Sequence, residues 1–114
     1  MITINRNAIV VWPGKAFLDW LQGADPTSAD LKLEDLQREP TVYMIAECDS
    51  EEEATEYLAK VCGGIFEEEL DGWYRVPSSW PQRRDFETFK RWFEWSYHSE
   101  IVDLCTDSLI QEEM

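Results

Sequence analysis

The chain reads as a small α/β domain, a mixed sheet of three to four strands with helices packed on it. Three observations predict this class. Ala8-Ile9-Val10-Val11-Trp12 and Thr41-Val42-Tyr43-Met44-Ile45-Ala46 are short β-rich runs, apolar at consecutive positions, the pattern of strands covered on both faces. Segments with the apolar spacing of helices lie between and after them. Strands separated by helices imply crossovers, hence at least partly parallel pairing. At 114 residues the chain suits one domain, 1–114, with a single core that needs no staple.

The first strand ends at Pro13-Gly14, and residues 2–4 extend it backwards across a bulge or turn at Asn5-Arg6-Asn7. Pro13 fits the first turn of a helix through Phe17, Leu18 and Leu21, stopped by Gly23. Asp25-Pro26-Thr27-Ser28 is loop chemistry, and Leu31, Leu33 and Leu36 give a short helix ended before Pro40. After the second strand, Ser50 with Glu53 forms a capping-box pattern, and Glu51, Glu52 and Glu53 suit the positive end of a helix dipole. Residues 63–76 admit two readings. Asp71-Gly72 is a hairpin turn signal, but Ala54, Tyr57, Leu58, Val61, Ile65 and Phe66 hold one helical stripe through Gly63-Gly64. The stripe favours a helix to about residue 70, weakest at the glycine pair.

Val76-Pro77-Ser78-Ser79-Trp80-Pro81 reads as a loop pinned to the body by Trp80. A last helix is expected from Arg84 or Asp85 to about Tyr97, burying Phe86, Phe89, Trp92, Phe93 and Tyr97. Residues 100–105 read as a third strand and 106–114 as a frayed tail. No repeat, low-complexity tract or interdomain linker is visible.

Ten Lys+Arg against 24 Asp+Glu give a net charge of −14. Such a chain is not a direct nucleic-acid or anionic-membrane binder, since both need cations. With 44% hydrophobic and 13% aromatic residues it is not a disordered acidic chain either. No apolar run reaches membrane-spanning length, and residues 1–6 carry no signal-peptide pattern. Three widely spaced cysteines suit reduced thiols. A cytoplasmic location is therefore expected.

The glycine-rich phosphate loops and the nucleophile elbow have no counterpart here. His98 is the single histidine, and Cys105 lies seven residues on, an odd step that puts the two on opposite faces of a regular strand. Cys48, Cys62, Cys105 and His98 lack the short ligand spacing of zinc sites. No metal or cofactor is expected. Asp103 interrupts the apolar Ile101-Val102-Asp103-Leu104-Cys105. Buried, it would be a pocket acid or base, with His98 and Glu47 as companions. Facing water or paired with an arginine, it would be structural.

The acids are unevenly placed. Residues 47–71 hold ten acids and one base, Lys60, whereas 75–91 hold five of the ten bases. The long helix thus presents Glu51, Glu52, Glu53 and Glu56 as a negative face, suited to a basic partner or to self-complementary pairing in a homodimer. A solvated face serving solubility is the plainer alternative. On a helical wheel Trp95 falls outside the buried arc beside Arg91, which makes the two candidates for a partner interface or, for Trp95, packing under the Trp80 loop.

Phe66-Glu67-Glu68-Glu69-Leu70, Gly72-Trp73-Tyr74, Ser79-Trp80-Pro81, the Phe89, Trp92, Phe93 pattern and His98-Ser99 with Val102, Asp103 and Leu104 resemble a family of small uncharacterised bacterial proteins. Asn5-Arg6-Asn7-Ala8-Ile9-Val10-Val11, Pro13 and Phe17-Leu18-Asp19-Trp20 are similar too, so the resemblance spans most of the chain. It implies a bacterial, non-secreted single-domain protein and brings no activity or catalytic residues. The leading expectation is a non-enzymatic acidic protein that binds a basic protein partner in a regulatory, inhibitory or immunity-type role. The alternatives are a small hydrolase or metal-dependent enzyme using Asp103 and His98, and a nucleic-acid mimic.

Overall fold

A computed structural model describes residues 1–113. The elements run β1 (Ile2–Thr3), β2 (Arg6–Pro13), α1 (Lys15–Ala24), α2 (Leu33–Gln37), β3 (Thr41–Ala46), α3 (Glu51–Trp73), α4 (Phe86–Trp92), β4 (Phe93–His98) and β5 (Val102–Asp103). Single 3-10 turns at Pro26–Ser28 and Pro77–Ser79 punctuate the loops. The result is the expected small α/β domain, with a three-stranded sheet in the order β3-β2-β4 and a two-stranded pair β1-β5.

Every pairing is antiparallel rather than partly parallel. The chain leaves β2 at Pro13 and re-enters as β3 at Thr41, opposite Val11, so α1 and α2 form an excursion at one end of the sheet. α3 then carries the chain back along the sheet, and β4 begins opposite Pro13. β3 and β4 therefore run in the same direction, as a crossover requires, but β2 lies between them and no parallel ladder forms.

The last helix stops at Trp92, five residues before the expected end, and Phe93–His98 is a strand. The aromatic set fits both periods over this stretch. Phe93, Trp95 and Tyr97 alternate with Glu94, Ser96 and His98, which is a half-buried strand pattern. The change occurs where Phe93 turns extended, at φ −132° and ψ 155°, and the Trp92 carbonyl accepts the Gly14 N–H at 2.8 Å. A Cβ on Gly14 would sit 3.3 Å from that carbonyl oxygen, so glycine permits the close approach. The expected third strand at 100–105 shrinks to Val102–Asp103, paired with Ile2–Thr3 instead of joining the main sheet.

α3 is continuous through Gly63-Gly64, which settles the helix-or-hairpin choice at residues 63–76 in favour of the helix. Its start follows the sequence signal. The Ser50 hydroxyl accepts the Glu53 N–H, and the Glu53 carboxylate reaches back to the Asp49 N–H at 3.1 Å. Pro13 closes β2 rather than opening α1, and its carbonyl accepts from Gln37 at 2.9 Å.

All four helices pack on one face of the sheet. Ile9, Val11, Ile45 and Phe93 meet Phe17, Leu21, Leu36, Leu58, Phe66, Leu70 and Phe89 in one core, with edge-on ring contacts such as Phe66–Phe93 at 5.0 Å between centroids. Trp80 pins its loop as expected, donating to the Tyr74 carbonyl at 2.8 Å. Asn7, 3% exposed, ties three strand ends together. Its amide donates to the Ser99 carbonyl, and its Oδ1 accepts from the Cys48 N–H and the Tyr97 hydroxyl.

The opposite face differs from the expectation for β3. Val42 and Met44 are 60% and 49% exposed, so this strand has one face open, and the strand order places it at an edge of the sheet. Residues 106–113 form no helix or strand, and Met114, the last residue of the expected tail, lies outside the described residues. Among the described residues no helix is long and apolar enough to cross a membrane.

Candidate functional site

The acidic face of α3 borders a groove beside β3. The helix runs back along the strand it follows, so its first turns flank Ala46 and its last turns flank Thr41. Ala46, Glu47, Cys48, Glu53, Glu56, Tyr57 and Lys60 line a cavity of about 200 Å³ at one end. Thr41, Glu68, Glu69, Asp71, Gly72 and Arg75 line another of about 630 Å³ at the other. Glu53, Tyr57, Lys60, Gly64, Glu68 and Asp71 follow steps of three or four, one stripe of the helix, with Glu56 beside it.

Acids outnumber bases along this groove, three to one in each cavity, the bases being Lys60 and Arg75. Glu47, Glu51, Glu52, Glu53, Glu56 and Glu68 have no basic side chain within 4.0 Å among the described residues, while Arg75, Arg83, Arg84 and Lys90 each pair with an acid of their own chain. Arg83 and the Thr88 N–H hold the Asp85 carboxyl well below its usual range. Desolvation raises the Cys48 thiol, assisted by the charges of Glu53 and Asp49.

Glu69 is the acid the sequence reading passed over. It is 9% exposed, and its Oε2 accepts from the Tyr43 hydroxyl at 2.8 Å and the Thr41 hydroxyl at 2.9 Å. Burial raises the carboxyl above its ordinary value, against the lowering effect of those two donors. The same burial, with the bond to Glu69, pushes the Tyr43 phenol far up. The signal was present: Glu69 stands three residues after Phe66 and four after Ile65, on the buried stripe. The run Glu67-Glu68-Glu69 masked it.

The structure divides the expected site residues. Glu47, Glu53 and Glu56 share one cavity, and Glu51 and Glu52 are exposed in the first turn of α3. Arg91 is exposed, its guanidinium 3.5 Å from the Thr88 hydroxyl. Trp95 is corrected: as a strand residue it faces the core, with its ring 5.8 Å from Phe86 and 5.7 Å from Phe89. The helical wheel that placed it outside does not apply beyond Trp92.

His98, Asp103 and Glu47 are not brought together. His98 ends β4 and its Nε2 meets the Ser96 hydroxyl at 2.8 Å, whereas Asp103 sits in β5 and accepts the Cys105 N–H at 2.8 Å. No hydrogen bond or ion pair joins any two of the three among the described residues, and of them Glu47 alone lines either cavity. Among the described residues no group of three His, Cys, Asp or Glu side chains has metal-holding geometry. A scan against protein-family models, a search of curated proteins and a search of solved structures each find no match.

Proposed function

We propose that this is a non-enzymatic, cytoplasmic protein of bacterial type that binds a basic protein partner through the acidic face of α3. One observation carries the reading: among the described residues Glu51, Glu52, Glu53, Glu56 and Glu68 have no basic side chain within 4.0 Å, while Arg75, Arg83, Arg84 and Lys90 are already paired. Carboxylates left this way are free to accept lysine or arginine from another molecule. The field of a strongly negative surface also speeds the encounter with a positive one. A regulator, an inhibitor or an immunity-type partner of a basic protein is the role that fits.

The test is capture of partners by the tagged protein from nuclease-treated lysate of its source, washed in rising salt. A stoichiometric basic protein that is lost as salt rises supports the reading. A partner that resists salt and stays bound after Glu51, Glu52, Glu53 and Glu56 are all changed to Gln overturns it.

A further inference from the structure

β3 is an edge strand. Its one hydrogen-bonded neighbour is β2, so every second peptide group of β3 faces away from the sheet. Among the described residues no loop backbone bonds these groups, and the one side-chain contact to the strand's backbone is the Cys48 thiol on the Ala46 carbonyl at 3.4 Å. Edges of this kind are templates for another strand unless charge, proline or a bulge blunts them. Thr41-Val42-Tyr43-Met44-Ile45-Ala46 has no charge and no proline, and its register with β2 is unbroken.

The surroundings of the edge differ on its two sides. Toward open solvent lie the exposed Val42 and Met44. Toward α3 lies the groove, where three acids face one base at each end, Lys60 at one and Arg75 at the other. Between the two cavities Gly64 falls in phase with the acidic stripe, and a Cβ built on it meets nothing within 4 Å. A side chain at this position therefore has open space beside α3. Side chains of a strand laid on β3 would alternate between these two environments.

We propose that β3 takes up an extended segment of the basic partner as a fourth strand of the sheet, with lysine or arginine at alternate positions facing α3 and apolar residues between them. The proposal rests on the reading of α3 as the partner-binding face. Main-chain bonds along β3 supply affinity, and the alternation supplies selectivity, as in other strand additions. Six residues of strand span about 20 Å, and α3 from Glu53 to Asp71 about 27 Å. A segment of six to eight residues thus reaches the acids at both ends. A second copy of this chain fits less well, because it brings another −14 of charge and its own β3 offers no cation.

The test uses a synthetic nine-residue peptide alternating lysine with valine, and a control of equal charge in which two central valines are prolines. Binding is followed at low salt by fluorescence, and amide exchange of the labelled protein by NMR. The expected result is at least about tenfold tighter binding of the alternating peptide, with slowed exchange at every second amide of β3. Gly64→Phe should weaken that binding by about tenfold and Gly64→Ala should not. Equal binding of both peptides without β3 protection overturns strand addition and leaves the acidic face standing. Failure of both peptides to bind at low salt overturns both readings. Protection of β3 that rises with protein concentration in the absence of peptide assigns the edge to a second copy, and overturns the proposal.

Discussion

The Tyr43 hydroxyl donates to Oε2 of Glu69 at 2.8 Å, joining the edge strand to the helix that flanks it. The phenol belongs to β3 and the carboxylate to the end of α3, so this bond closes one end of the groove from within. Thr41 supplies the second donor to the same oxygen. Tyr43→Phe removes one donor from a buried acid and is expected to cost about 2 kcal/mol, measured by urea denaturation at neutral pH. Unchanged stability would mean that water replaces the phenol.

Glu69 also gives stability a pH dependence of definite sign. Desolvation raises its carboxyl in the fold, so the folded protein holds this proton more tightly than the unfolded chain. The contribution is full below the ordinary glutamate range and is lost as pH rises through the raised value. Glu69→Gln keeps an acceptor for Tyr43 and Thr41 without a charge to bury. Its stability relative to the wild type should therefore rise as pH climbs from the ordinary glutamate range through the raised value, and a difference flat with pH contradicts the assignment.

Asn7 is the polar link between the three strands. Asn7→Leu leaves the Cys48 N–H without its acceptor and the Tyr97 hydroxyl with only the Cys48 carbonyl at 3.4 Å, at an expected cost of about 2–4 kcal/mol for two part-buried donors. Loss of exchange protection at the far ends of β3 and β4 would accompany it. A loss under about 1 kcal/mol would show that these ends are solvated.

Gly64 lies inside a continuous helix with open space beyond it. Gly64→Ala should raise stability by about 0.5–1 kcal/mol, since alanine loses less backbone freedom on folding and meets no neighbour. Thermal unfolding reads this as a rise of a few degrees. A lower midpoint would show that the helix bends at the glycine pair.

The signals that were local were legible in the sequence. The Ser50 cap, the stripe through the glycines and the β-branched run of β2 each reflect one element's own chemistry, and each appears in the structure. What failed depended on a neighbour. The pattern Phe93-Glu94-Trp95-Ser96-Tyr97-His98 fits a strand, but aromatic residues at 86, 89, 92 and 93 fit a helix as well, and pairing with β2 decides between them. The apolar residues of β3 suggested cover on both faces, yet Val42 and Met44 stand in the open. At the site, the exposed acids of α3 were legible as a charge run. Glu69 was not, because its role follows from Tyr43 and Thr41, 26 and 28 residues away in sequence.

The central claim is that the acids beginning α3 draw in and hold a basic partner. Its most direct measurement is the association rate of the captured partner with the wild type and with Glu51, Glu52, Glu53 and Glu56 changed together to Lys, at low and moderate salt. Circular dichroism confirms that α3 persists, since lysines at a helix start each cost about 0.3–1 kcal/mol. The account predicts that association slows about tenfold or more at low salt in the variant and that the gap narrows as salt rises. Equal association rates at low salt would contradict it.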